Sequence, residues 1–176
     1  MNITRTQHLS DFRTKTTFGF AVTTLILLSP FGIVQFYQGH MVLGAVALLV
    51  IALFGINAWN CKRGKYNFKL TYIVLVPTII IFFVYAFHTV GVISIFWCFP
   101  AVLAFYFMLP ERQAWIANAA FIIIILPQAW MTLEFSMAIR LIVSLTMVSI
   151  FSAIFVRVIS DQQKNLEIQA LIDPLT

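Results

Sequence analysis

The sequence predicts an all-α fold: a polytopic membrane bundle of six transmembrane helices whose last helix runs on as a cytoplasmic extension. Composition is the first observation behind this. Of 176 residues, 61% are hydrophobic and only 10% charged, with a mean hydropathy of +0.97, whereas a soluble domain is about 25% charged. The second is six apolar stretches, each near the roughly 20 residues a helix needs to span a bilayer. The third is that the connections between them are too short for an extramembrane domain, so neighbouring helices run antiparallel.

Residues 1–17 form a polar, cytoplasmic N-tail carrying Arg5, Asp11, Arg13 and Lys15. The apolar run that follows, Phe18 to Tyr37, is too long for a signal-peptide core and has no small-residue cleavage site, so it is expected to be a retained first helix. The next five are Met41 to Asn60, Phe68 to His88, Val92 to Leu109, Ala114 to Met131 and Met137 to Ile159. Together, residues 18–159 make the membrane domain. Lys and Arg set its orientation: Lys62, Arg63, Lys65 and Lys69, then Arg112, then Arg157 and Lys164 share a side with the N-tail, and the opposite connections contain only Arg140. Both termini are therefore expected in the cytoplasm. The net charge of +5 is this asymmetry, not a nucleic-acid footprint.

Internal prolines at Pro30, Pro77, Pro100 and Pro127 each remove a backbone donor, so kinks are expected in four helices. Gly44, Gly55 and Ala58 on the second helix, and Ser149 with Ala153 on the sixth, mark places where helices approach closely, within the bundle or across a dimer seam. Cys61 and Cys98 lie on different helices and are expected to be free.

Polar groups gather at the outer face. His40, His88 and Glu134 fall in or beside three different loops, with Tyr85, Trp130 and Arg140 within about two turns and Trp97 deeper. Two imidazoles and a carboxylate suit Zn²⁺, and His40 with His88 suits a haem iron, although no CxxC, HxxxH or HExxH spacing supports either. An apolar or amphipathic small molecule among Tyr85, Trp97 and Trp130 is an equal alternative. The plain alternative is an aromatic belt with wetted helix ends. No Asp, Glu, Lys or Arg is expected at mid-depth, which disfavours coupled transport and proton pumping. Nor is there a buried nucleophile with a base, so these residues contain no visible catalytic machinery.

Beyond the bilayer, Val156, Ile159, Gln163, Leu166 and Ala170 recur at three- and four-residue spacing while Asp161, Gln162, Lys164 and Glu167 face water. That is the seam of a short helical pair, expected to join two copies as a homodimer. Residues 160–172 thus make a linker helix. The last residues, Ala170-Leu-Ile-Asp-Pro-Leu-Thr176, resemble the entry to a GGDEF domain, commonly A-x-x-D-x-L-T-G-L-x-N-R, with Asp173, Leu175 and Thr176 matching. The resemblance covers about eleven residues, and the chain ends before the Gly-Leu and Asn-Arg of the pattern.

The resemblance implies a membrane-associated sensor region of a bacterial diguanylate cyclase, multi-pass in the inner membrane, with residues 173–176 opening a truncated GGDEF domain. In that family paired GGDEF domains convert two GTP to cyclic di-GMP with Mg²⁺, using residues downstream of this motif. The membrane part is then the input and dimerisation device, and a ligand acts on it by binding two states unequally. A histidine-kinase sensor and a small transporter or structural bundle are the competing expectations.

Overall fold

The computed structural model describes the backbone of residues 3–172. Its elements are α1 (Ile3–Tyr37), α2 (Met41–Lys62), a π-helical segment (Leu70–Leu75) leading into α3 (Val76–Val90), a 3₁₀ turn (Gly91–Ser94), α4 (Ile95–Met108), α5 (Glu111–Thr132) and α6 (Phe135–Ile172). No strand occurs among the described residues. Five helical elements are long and apolar enough to cross a membrane: Thr14–Tyr37, Met41–Lys62, Leu70–Met108, Glu111–Thr132 and Phe135–Gln163.

The expected polar N-tail is helical from Ile3 and continuous with the first apolar run. Neither glycine nor proline intervenes before Gly19, so nothing in the chain stops the helix at the boundary.

The third apolar element, 39 residues long, is not straight. Gly91 takes φ 65° and ψ −127°, a conformation that side-chain-bearing residues avoid, and the chain reverses there. The Tyr66 hydroxyl, just before the element, donates to the Met108 carbonyl at its far end, so both ends lie at one level of the bundle. That level, with the connections at 63–69 and 109–110, is called here the lower end. At the upper end Gly91 lies beside Thr132, and Gln35, Leu43, Val90 and Ser94 meet around one void. The helices therefore alternate in direction.

The four prolines are all exposed, as are Ile26, Ile73, Phe96 and Ile123, the residues four positions before them. Each ring therefore leaves the carbonyl four residues earlier without its helical partner on the outer face. At Pro77 the π-helical segment widens the turn just before the ring, and its Val76 amide reaches back to the Thr71 carbonyl.

The π-helical segment also places Thr71 in the interior. Asn57 Nδ2 on α2 donates to Thr71 Oγ1 at 2.9 Å, and that hydroxyl donates to the Asn67 carbonyl at 3.1 Å. Other hydroxyls are satisfied within their own helices: Thr23, Ser29, Thr78, Thr89, Thr146 and Ser152 each bond the carbonyl four residues earlier. In hydrocarbon that local pairing keeps donors from being left bare.

Of the helices, α4 is the most enclosed, burying Cys98, Ala101, Val102, Ala104, Phe105, Tyr106 and Met108. It lies against α1, α5 and α6. Tyr106 reaches Ser149 on α6, with 3.1 Å between hydroxyl oxygens, so the Ser149–Ala153 pair serves packing within the chain. Gly44 has the same role on α2, where the Phe36 ring of α1 lies flat over it. A ladder of edge-on rings from Phe83 through Phe121 to Phe105 ties α3, α5 and α4 together, with centroids 5.1 and 5.8 Å apart. Outside this core the surface is a band of Ile, Leu, Val and Phe, with Ile26 and Ile123 each 67% exposed. Such a surface suits hydrocarbon rather than water.

Candidate functional site

The sequence points to the upper end as the place where polar groups converge. His40 is half-buried at the start of α2, its Nδ1 3.1 Å from the Gln35 side-chain oxygen. His88, Glu134 and Arg140 are exposed. Among the described residues no three His, Cys, Asp or Glu side chains gather to hold a metal ion, so the His40, His88 and Glu134 set is not assembled. Each of these side chains sits at a helix end, where water or headgroups satisfy it without a ligand.

Of the three aromatic candidates, only Trp97 lines the two voids described below. Tyr85 is 45% exposed, and Trp130 is 50% exposed with its ring edge-on to Phe135 at 5.1 Å. Both belong to the outer belt. Trp97 alone faces inward, edge-on to Phe31 of α1 with centroids 4.4 Å apart.

Around Trp97 the bundle is hollow. An apolar cavity of about 120 Å³, partly open to the bundle surface, lies among α1, α2, α3 and α4. Phe20, Thr24 and Leu28 line it from α1, Val50 and Phe54 from α2, Ile79 and Phe83 from α3, and Trp97, Pro100 and Ala104 from α4. A second void of about 50 Å³ lies above it and shares Leu28, Phe82, Phe83 and Trp97 as walls. Its upper boundary includes Gln35 and Ser94. Both have the apolar lining of small-molecule sites but are smaller than the usual ~300–1,000 Å³.

Local sequence explains the hollow. Pro100 has no amide hydrogen, and Ala101 and Ala104 beside it are too small to fill the space that they line. Chain reversal at Gly91 brings Ser94 in under the upper loops. Ser94 is 3% exposed and its Oγ has no hydrogen-bond partner in the structure. A buried hydroxyl left bare costs about 1–3 kcal/mol.

Of these residues the sequence singled out Trp97, and it marked Pro100 as a kink. Thr24, Phe82, Phe83 and Ala104 carry no linear signal, because they meet only when four helices pack.

At the other end, α6 continues unbroken to Ile172, 38 residues in all. Along the expected dimer seam Val156, Ile159 and Gln163 are half-buried and Leu166 is 65% exposed. The Ala170 side chain and Asp173, Leu175 and Thr176 lie outside the described residues.

Compared with protein-family models, curated proteins and solved structures, the chain finds no match in any of the three.

Proposed function

We propose that this chain is the six-crossing membrane sensor and dimerisation module of a diguanylate cyclase, with both termini in the cytoplasm of a bacterial inner-membrane protein. The observation that carries the reading is α6, one helix running from the upper loop to Ile172 and leading directly into the Asp173-Pro-Leu-Thr176 sequence that resembles a GGDEF entry. A rigid helix of this kind transmits a shift or rotation over its whole length.

Two further features support it. Reversal at Gly91, with Tyr66 bonded to Met108, favours counting Leu70–Met108 as two crossings. Lys62, Arg63, Lys65, Lys69 and Arg112 are exposed at the lower end, the arrangement expected of a cytoplasmic side. The cavity offers an input, because α4 stands between it and the exit helix: Trp97, Pro100 and Ala104 face the cavity, and Tyr106 contacts Ser149 of α6.

The test is to read the coding sequence past Thr176 and to assay membranes containing the encoded protein for cyclic di-GMP formation from GTP and Mg²⁺. The reading expects Gly-Leu-x-Asn-Arg directly after Thr176, a GG[DE]EF motif further on, and product. A histidine phosphoacceptor helix, or no soluble domain at all, overturns it.

A further inference from the structure

We infer that the basic turn Lys62–Lys69 at the lower end of the bundle, with Trp59 above it, binds the phosphate of an anionic phospholipid whose acyl chains lie along the exposed face of α2. The binding rests on this surface alone; that the lipid belongs to the cytoplasmic leaflet rests on the topology proposed above.

Charge comes first. Lys62, Arg63, Lys65 and Lys69 fall close together, and the sequence has no Asp or Glu between Asp11 and Glu111. All four cations are exposed. The C-terminal end of the α2 dipole offsets only about half a charge. At the neighbouring connection Glu111 is followed directly by Arg112, so that loop adds no net negative charge. Most of the positive charge is therefore left for an anion from outside the chain.

Order is the second consideration. The Gly64 amide, at φ 69°, donates to the Cys61 carbonyl at 2.9 Å, and the Lys65 amide donates to the Asn60 carbonyl at 2.9 Å. This double closure is a Schellman end for α2. The Tyr66 hydroxyl on the Met108 carbonyl then fixes the turn to the end of α4. Lys62, Arg63 and Lys65 thus project from a fixed backbone, which lowers the ordering cost of binding.

Register is the third. Leu49, Ala52, Ile56, Trp59 and Arg63 recur at alternating three- and four-residue spacing and are all exposed, so they form one outward stripe of α2. At 1.5 Å per residue the stripe is roughly 21 Å long, close to one leaflet with its headgroups, about 20–22 Å. Aliphatic side chains come first, an indole next and a guanidinium last, the order of acyl chain, interface and phosphate in a lipid. Arg63 Cζ lies 4.7 Å from the centroid of the Trp59 ring, so the cation folds back to the membrane boundary instead of extending into water. A soluble polyanion would meet the charges but not the stripe. A phospholipid meets both.

The test uses the full chain with Trp59 as its one tryptophan, the other three replaced by phenylalanine, in nanodiscs of phosphatidylcholine and phosphatidylglycerol in equal parts. Brominated acyl chains are placed on one lipid or the other. Bromine quenches indole fluorescence on contact, so comparing the two preparations reads which lipid sits beside Trp59. Phosphatidylglycerol should be preferred by about fivefold, the worth of one cation near an anionic headgroup, and high salt should reduce the preference. Lys62→Gln, Arg63→Gln and Lys65→Gln together should bring it close to one with circular dichroism unchanged. A chain with Trp130 as its one tryptophan, at the upper end, should show none. Should the phenylalanine replacements unfold the chain, native mass spectrometry of the unaltered chain released from the same nanodiscs reads retained phosphatidylglycerol, which the triple glutamine variant should lose. Equal quenching by both lipids at Trp59, the same preference at Trp130, or a preference that survives the triple substitution overturns the inference. So does equal quenching with capture of the nanodiscs on heparin, which would reassign the surface to a soluble polyanion. Nanodiscs expose both leaflets to the same lipids, so the result stands whichever way the chain is oriented and whatever follows Thr176.

Discussion

Asn57 and Thr71 allow a test of how this bundle handles buried polar groups. The Asn57 amide donates to Thr71 Oγ1 at 2.9 Å, but its own side-chain oxygen is buried without a partner. Replacing Asn57 with leucine therefore removes two terms of opposite sign. One is an interhelical hydrogen bond, worth about 0.6 kcal/mol on average in a membrane protein and about 1.7 at most. The other is a bare amide oxygen costing about 1–3 kcal/mol. Because leucine has nearly the same shape, Asn57→Leu should lie within about 1 kcal/mol of the parent and on the stabilising side.

Thr71→Val keeps the shape but leaves the whole Asn57 amide unpartnered, so it should cost about 1–3 kcal/mol. The double variant should return close to Asn57→Leu alone, a coupling of about 1–3 kcal/mol. Unfolding by SDS titration in mixed micelles, followed by helical circular dichroism, measures all four corners of the cycle. Equal and additive losses for the two single variants would refute the reasoning, because they would mean that water reaches Asn57.

At Gly91, substitution by valine should destabilise the fold by about 1–3 kcal/mol, since φ 65° with ψ −127° is a backbone conformation open to glycine; the same titration reads it, and Gly64→Val in the exposed lower loop, also at positive φ, gives the comparison without a reversal between apolar segments. A Cβ on Gly44 would sit 2.8 Å from the Phe36 ring, so Gly44→Ala should cost about 1 kcal/mol or more, and Phe36→Leu in the same chain should recover most of it. Cysteines placed at Ile159 or Leu166 should crosslink two copies of the chain; crosslinking confined to Gln162 or Asn165 instead would reassign the dimer face.

Much of the architecture is legible in the linear sequence because hydrocarbon imposes a simple rule: a span must be apolar throughout and about 20 residues long. The expected run Met41 to Asn60 and the observed α2, Met41–Lys62, begin at the same residue, and Ala114 to Met131 lies inside α5, Glu111–Thr132. The first and last helices run well past the expected apolar limits, because hydropathy marks where a helix leaves hydrocarbon and not where its hydrogen bonds stop.

Local detail was less accessible. Nothing in Leu70–Leu75 announces a π-helical turn, which arises from Pro77 just beyond it and the pull of Asn57 on Thr71. For the site, polarity pointed to His40, His88 and Glu134, residues that water and headgroups satisfy at helix ends. The cavity is defined instead by what is small or missing, at Pro100, Ala101 and Ala104. Absence of volume has no periodicity in a sequence. Trp97 and Pro100 are visible from both directions.

Whether Leu70–Met108 crosses the membrane twice decides the topology, the side on which α6 emerges and the placement of the cavity. The direct measurement is labelling by a membrane-impermeant maleimide of single cysteines at Val92, Lys65 and Arg112, in a background with Cys61→Ser and Cys98→Ala. Six crossings predict that Val92→Cys reacts from the outside in intact cells, while Lys65→Cys and Arg112→Cys react only after the membrane is opened. Labelling of Arg112→Cys from outside, with Val92→Cys protected on both sides, would make the segment a single crossing and contradict the account.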